Sequence, residues 1–487
     1  MNRNAKIVAT IGPSCSDKKT LKRLIQAGMD VARLNFSHGS QEEHAARISL
    51  IRELSIECNK PISILQDLQG PKLRVGKLPG SGIRLIPGEP VKLSSSLDNS
   101  QKNGNLHIPL DVPGFENSVQ VGSRILLDDG NLELVVTSIE EFTVHAEVVI
   151  GGSLHSHKGV NLPGAQLGIA SLTKKDIRDL SFGLGQGIDA IAISFVCNKD
   201  DILAVREAVY NINQKHDGIP IIAKLERPEA VENLEEIVAY ADGVMVARGD
   251  LAVETSAAEV PIMQKKIIEM ANQHAKLVVT ATQMLDSMIH NPRPTRAEAS
   301  DVANAIFDGS DAVMLSGETA IGKYPVKSIT MMNDIIIKAE ENYPLWGYDG
   351  SKVEMPTHDD SLSLTRAARE LAQDRNVASI AVFTRSGRTA LLMSKVRSKV
   401  PIFAFTPDHH TFQRLGLYWG VVPFLVPYAS TIESMLEDVE TAIMAHTDAK
   451  PGQQTVIISG YPVGAFRPAN LILLHTLGMS VPHTITR

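Results

Sequence analysis

The chain has 487 residues, of which 43% are hydrophobic and 21% charged, with a formal net charge of −7. That length accommodates roughly two to four domains at ~100–200 residues each. The acidic balance and the lack of long like-charge runs argue against a nucleic-acid partner, and no apolar run reaches the ~18 residues of a membrane span.

In chain order, "KIVATI" (6–11) reads as a strand, and Ser16 is the expected cap of the helix after it. "DVARLNF" (30–36) is the second strand; Ser40 with Glu43 three residues on is a capping-box signal before "HAARISLIREL". "PISILQDL" (61–68) is the third, and it ends on an acid, Asp67, just before Gly70-Pro71. From Pro71 to Gly168 the helical period gives way to strand patterns: "IRLIPGEPVKL", "RILLDDGNLELVV" with a hairpin signal at Asp129-Gly130, and "FTVHAEVVI". Helical alternation resumes at Thr173, whose N-cap signal includes Asp176. Five further strands follow: "DAIAISF" (189–195), "PIIAKLE" (220–226), "DGVMVA" (242–247), "KLVVTATQ" (276–283) and "DAVMLS" (311–316).

Eight strand–helix units predict a (β/α)8 barrel over 1–70 and 169–345, with an inserted β domain over 71–168 in the loop after the third strand. A doubly wound sheet is the competing fold. The pattern breaks near 340–360. A second α/β unit, 346–487, follows with strands "SIAVFT", "PIFAF" and "QTVIIS". Cys15, Cys58 and Cys197 are far apart and lack CxxC spacing, and "IVATIGP" is too short for a signal h-region. Both features imply a cytoplasmic protein.

Barrel enzymes carry their chemistry at the C-terminal ends of the strands. Those ends hold Arg33, Asn35, Ser37, Asp67, Lys224, Glu226, Arg248, Gly249, Asp250, Thr282, Gln283, Ser316 and Glu318. Lys224 and Glu226 are two apart on one strand, so they share a face. Asp250 follows the neighbouring strand. Two carboxylates there suit Mg²⁺, which takes hard oxygen donors and keeps waters for substrate. Gly249 lets backbone approach a ligand. Lys224 and Arg33 would face a phosphoryl group. Thr282 and Ser316 are hydroxyls able to orient a water as proton donor, or else simple caps. In the C-terminal unit Thr384, Ser386, Gly387, Arg388 and Thr389 sit between a strand and a helix start, where phosphate binds or a cap forms.

"ARLNFSHG", "DLQGPKLR", "AKLERPEA", "MVARGDL", "TATQMLDSM", "NPRPTRAEASDVANAIFDGSDAVMLSGETA" and "SGRTA" occur in this order, and with them the chain resembles the pyruvate kinases along essentially its whole length. The resemblance implies a barrel with a mobile β-barrel lid, a C-terminal regulatory domain and a homotetramer. It implies phosphoenolpyruvate and ADP as substrates, and Mg²⁺ (or Mn²⁺) held by Glu226 and Asp250. Arg33 would bind the phosphoenolpyruvate phosphate and Lys224 the phosphoryl in flight, with Gly249, Asp250 and Thr282 on the substrate. Asn35, Phe36, Ser37, His38 and Arg74 would line the nucleotide side, and Asn35, Ser37 and Asp67 match the K⁺ site of potassium-using members. Thr384 to Thr389 match the loop for sugar-phosphate effectors, with a nucleoside monophosphate as the other effector class. Leu68 replaces a hydroxyl and Lys72 an acid of the potassium users, so K⁺ is expected not to be required. Asn198, with Lys199 beside it, stands where many members have a basic nucleotide contact. A Mg²⁺-dependent pyruvate-enolate lyase and a non-enzymatic sugar-phosphate sensor are the rival functions.

Overall fold

Eight short runs that are apolar on both faces can be satisfied only between an inner core and an outer layer of helices. In the computed structural model, which describes residues 3–71, 73–95, 106–112, 114–165, 171–214, 218–348, 358–465 and 467–479, they close into one parallel ring. Its strands are Lys6–Thr10, Val31–Asn35, Ser63–Asp67, Ala190–Ile193, Ile221–Leu225, Gly243–Ala247, Leu277–Ala281 and Ala312–Leu315. The first pairs with the last, which distinguishes the barrel from a doubly wound sheet. The lumen is filled by Val8, Val31, Leu65, Ile222, Met245 and Val279, so the barrel is a packed core and not a pore.

Helix starts follow cap chemistry, with one correction. The first helix, Lys18–Ala27, is capped by Asp17 and not Ser16; Asp17 accepts from Thr20 N at 2.9 Å. Ser40 caps Gln41–Glu57 by accepting from Glu43 N, while the Glu43 carboxylate turns to Arg47 at 3.4 Å and the box stays half-formed. Thr173 and Asp176 form the complete box ahead of Lys174–Gly185.

The insertion after the third strand is a curled six-stranded sheet with a separate two-stranded one, wrapped on its own core of Val75, Leu93, Phe115, Leu134 and Val144. Arg124–Leu127 and Leu132–Glu140 form the expected hairpin, turned through Asp128, Asp129 and Gly130, all at positive φ. The edge strands Leu106–Pro109 and Val160–Asn161 are too short to show a period in the sequence. The C-terminal unit is a five-stranded sheet. Two of its strands escape sequence reading: Val421–Leu425, which contains Pro423, and the antiparallel edge strand Leu471–Thr476.

The C-terminal unit closes the lower, N-terminal face of the barrel. Lys6 Nζ donates to the Val421 carbonyl at 2.9 Å, and Ser63 Oγ donates to the Gln413 carbonyl. Lys395 pairs with Asp311 at 2.6 Å and Arg397 with the same carboxylate at 3.0 Å, while Arg397 also lies over the Trp419 ring. All three charged side chains are buried. Burial pushes the Lys395 ammonium down to about 8, against the pull of Asp311. With the lower face sealed, the upper rim faces the inserted domain. No helix among the described residues is long and apolar enough to cross a membrane.

Candidate active site

Parallel strands that end level put the side chains near their ends on one rim, and four of these, Arg33, Asp67, Lys224 and Glu226, meet as a charge knot. Asp67, at the end of the third strand, accepts from Arg33 Nε at 2.7 Å and faces Lys224 Nζ at 3.3 Å. Lys224 also pairs with Glu226 at 2.9 Å and donates to Ser194 Oγ at 2.8 Å. Arg33 is fixed from its other side, where Nη1 donates to Thr10 Oγ1 at 2.9 Å. Burial opposes ionisation of Asp67, but Lys224 and Arg33 outweigh it and hold the carboxyl below the usual range. Burial likewise opposes the Lys224 charge, and Asp67 with Glu226 more than restores it, so the ammonium is firmly protonated. Glu226 is different: burial pushes its pKa up, Lys224 pulls it down, and Asp250 pushes it up again. Glu226 Oε2 accepts from Phe195 N at 2.9 Å, and Phe195 adopts positive φ at this turn.

Asp250 lies on a short helix, Arg248–Glu254, directly after the sixth strand. Arg248 anchors this helix: Nη1 pairs with Asp301 at 2.6 Å and Nη2 donates to the Thr282 carbonyl at 2.8 Å. Gly249 N donates to Thr282 Oγ1 at 2.7 Å, and that hydroxyl donates to the Ala281 carbonyl. A Cβ at Gly249 would meet Thr282 Oγ1 at 3.4 Å, an ordinary contact, so packing does not demand the glycine. Its use is the bare backbone it presents. Thr282 and Gln283 both hold positive φ, a strained pair kept in place by the Arg248 and Gly249 contacts. Glu318 is buried and shapes the loops of the last two strands, accepting from Ser316 N at 2.7 Å and Leu285 N at 3.0 Å. Burial raises its pKa.

The loop after the second strand opens on a cavity of about 590 Å³ lined by Phe36, Ser40, His44, Lys175, Arg178 and Asp179, among others. Asn35 Oδ1 accepts from Ser37 N at 3.1 Å, and His38 is exposed. The Phe36 side chain is buried and stacked on His44, so what this residue offers a ligand is backbone. Lys175 Nζ already donates to the Phe36 carbonyl at 2.6 Å. Sequence reading overlooks Lys175 and Arg178, because they lie on a helix rather than at a strand end. Arg74 lies within the inserted domain, bridged to Gly159, with its guanidinium on the His157 carbonyl at 2.8 Å. Lys72 lies outside the described residues. Leu68 is a buried core residue. Asn198 caps Lys199–Ile212, and Lys199 pairs with Glu236 at 3.6 Å.

Far below, Gly387 opens the helix Arg388–Lys395 at positive φ. Thr384 Oγ1 accepts from Gly387 N at 3.0 Å, and Ser386 Oγ accepts from Arg388 N at 3.4 Å. Ser386 and Arg388 are exposed; Thr384 and Thr389 are buried. The Arg388 guanidinium is paired with Asp359.

The donor set of Glu226 and Asp250 fits a hard divalent ion. Both groups are carboxylates, and Asp250 raises the pKa of Glu226 as an unneutralised neighbour does. Asp250 lines the cleft between barrel and inserted domain with no ion pair among the described residues. Two carboxylates would leave the remaining positions of such an ion to water and substrate oxygens.

Comparison with known proteins converges on one family. Residues 2–329 match the model "Pyruvate kinase, barrel domain" and residues 363–475 the model "Pyruvate kinase, alpha/beta domain". The chain is 39% identical over 482 residues to a pyruvate kinase of Mycobacterium tuberculosis, covering 98% of this chain and 99% of that one. It is 40% identical over 478 residues to one of Corynebacterium glutamicum, covering 98% of each. It is 42% identical over 483 residues to one of Geobacillus stearothermophilus, covering 98% of this chain and 81% of that one. With near-complete coverage at this identity, and a barrel rim built around paired cations and carboxylates, the chain belongs to the pyruvate kinase family and is an enzyme of that activity.

Proposed function

We propose that the chain transfers the phosphoryl group of phosphoenolpyruvate to ADP, giving ATP and pyruvate, with Lys224 as its central cation. The observation that carries this is the suspension of Lys224 between Asp67 and Glu226, with Arg33 on the same Asp67. Two fixed cations beside two carboxylates suit a phosphoryl group that spreads charge over its oxygens as it leaves one oxygen for another. In this reading Arg33 binds the phosphate and Lys224 the phosphoryl in flight. The Gly249 backbone, Asp250 and Thr282 seat the carboxylate end, while Asn35 to His38 and Arg74 face the nucleotide. Thr282 and Ser316 order the water that protonates carbon 3 of the departing enolate. Mg²⁺ (or Mn²⁺) held by Glu226 and Asp250 would supply Lewis-acid charge. In this reading 1–70 with 169–345 form the catalytic domain, 71–168 the lid and 346–487 the regulatory domain of a homotetramer. The three unpaired cysteines accord with a cytoplasmic setting. ATP formation from phosphoenolpyruvate that depends on ADP tests the reading. Pyruvate release at equal rate without nucleotide would favour the lyase instead.

The same reading holds that turnover does not require K⁺. Asp67 already faces Arg33 and Lys224, and Leu68 turns into the core. Lys72 would bring a further ammonium where potassium users have an acid, and a compact point charge can stand in for the ion. In tetramethylammonium buffers at constant ionic strength, the unmodified enzyme is expected to keep full activity. Lys72→Glu is expected to lower it and make the remainder K⁺-dependent. Many-fold activation of the unmodified enzyme by K⁺ would refute the assignment.

A sugar phosphate or nucleoside monophosphate is expected to bind Thr384, Ser386, Gly387, Arg388 and Thr389. The helix they open ends in Lys395, paired with Asp311 just before the last barrel strand, which ties that helix to the lower face of the barrel. Ser386→Asp places a carboxylate where the phosphate would sit. Activation, of about 1–3 kcal/mol coupling, is expected to disappear in that variant while basal kcat persists. An unchanged response to every phosphate effector would reduce the loop to a helix cap.

A further inference from the structure

Among the described residues, two contacts from the inserted domain land on the helix that carries Asp250. Asn161 Nδ2 donates to Glu254 Oε1 at 2.7 Å. Gly130, in the hairpin turn, faces Val253, whose methyl carbons lie 3.6 and 3.7 Å from where a Cβ would be. A third contact is Arg227 Nη2 on the Ala165 carbonyl at 2.9 Å, from the turn that follows Glu226. The two contacts on the helix come from one corner of the lid sheet. Asn161 pairs with Leu126 and Val160 with Leu127, so the strand bearing Asn161 lies beside the strand that leads into the hairpin turn. Lys158 pairs with Asp128 at 2.7 Å and stiffens that corner.

Glu254 and Asp250 are four residues apart on the short helix Arg248–Glu254, hence on one face of it. Both line a cleft of about 400 Å³ between lid and barrel, with Asp129, Asn161, Phe195 and Arg227. Glu254 Oε2 is shielded from solvent and has no hydrogen-bond partner among the described residues. Burial raises the Glu254 pKa, and Asn161 and Arg227 hold it down. Burial of the carboxylate therefore carries a cost that the Asn161 hydrogen bond offsets, and separation of lid and barrel would return it to water.

We infer that Glu254 is a positioning residue that catches the lid through Asn161, so that one helix couples the seating of substrate at Asp250 to closure over the nucleotide. Closure of this kind excludes water and orders the second substrate. Its loss falls on the ADP step and spares phosphoenolpyruvate binding in the open site.

Asn161→Asp replaces the donor with a carboxylate facing Glu254 and forces the corner apart. Asn161→Asp with Glu254→Gln restores the bond with its direction reversed. Asn161→Asp is expected to lower kcat/KM for ADP about tenfold or more, with the phosphoenolpyruvate dissociation constant (calorimetry with Mg²⁺, no ADP) within about twofold of the unmodified enzyme. The double variant is expected to regain most of the loss, and the retained phosphoenolpyruvate affinity of the single variant excludes misfolding as the cause. An unchanged kcat/KM for ADP in Asn161→Asp, or a double variant no better than the single one, would overturn the inference. It rests on Asp250 serving metal and phosphoenolpyruvate; the same calorimetry on Asp250→Ala reads that assignment separately.

Discussion

Lys224→Met is expected to lower kcat on the order of 10³-fold, about 4 kcal/mol of barrier, while phosphoenolpyruvate binding falls far less. The ammonium is held firmly charged by Asp67 and Glu226, and its stem is buried to the rim. Charge fixed in that way needs no reorganisation when the phosphoryl group is in flight, which is where it does most good. Removing it has a second consequence. Asp67 keeps Arg33, but Glu226 loses its ion-pair partner and, among the described residues, retains the Phe195 amide. Breaking buried pairs costs ~3–5 kcal/mol in general; the surviving Arg33 bond places this case at the lower end, so the variant folds with a depressed Tm. Lys224→Arg keeps the charge and is expected to fall between the two, because a planar guanidinium cannot occupy the same point between Asp67, Glu226 and Ser194. Single-turnover ATP formation beside a melting curve separates the two effects. Near-normal turnover in a folded Lys224→Met would show that the cation is structural.

The knot around Lys224 also marks how far sequence reasoning reaches. The rule that strand ends carry chemistry finds Arg33, Asp67, Lys224 and Glu226, because each is a charge in the last residues of an apolar run or just after it. Thr10 and Ser194 obey the same rule and escape it. Thr10 closes the strand "KIVAT" and Ser194 follows the strand "AIAI", and they fix Arg33 and Lys224. A hydroxyl is a weak signal beside a charge. The barrel itself is legible, since eight runs buried on both faces leave few alternatives, and so is the Asp129-Gly130 hairpin. The lid's edge strands are not, since two to four residues carry no period. Neither is the Asn161–Glu254 contact, which joins residues 93 apart. Nothing local in either segment announces a partner. Lys175 belongs to the same class. Its place beside the Phe36 carbonyl follows from how one helix packs beside the second strand's loop, and only the fold supplies that.

Asp250→Ala is expected to weaken Mg²⁺ and phosphoenolpyruvate together, where Lys224→Met mainly slows the chemistry. Asp250 enters no ion pair among the described residues, and it stands at the start of a helix whose N-terminus offers only weak compensation for its charge. Its loss should therefore cost the scaffold little. Arg248 still anchors the helix through Asp301 and Thr282, and Gly249 N still reaches Thr282 Oγ1. What disappears is one of two carboxylates able to hold a divalent ion, and Glu226 alone would hold it more weakly, because one of its oxygens faces Lys224 and the other accepts from Phe195 N. The Mg²⁺ activation midpoint is expected to rise about tenfold or more, and kcat/KM for phosphoenolpyruvate to fall by several kcal/mol of stabilisation, on the order of 10²- to 10³-fold. Excess Mg²⁺ should recover part of the loss, as it cannot in Lys224→Met. Melting temperature should move little, because a half-buried, unpaired carboxylate leaves no partner stranded. The decisive comparison is a Mg²⁺ titration of the two variants against the unmodified enzyme. An Asp250→Ala midpoint equal to that of the unmodified enzyme would remove Asp250 from the metal site and leave Glu226 without a second ligand.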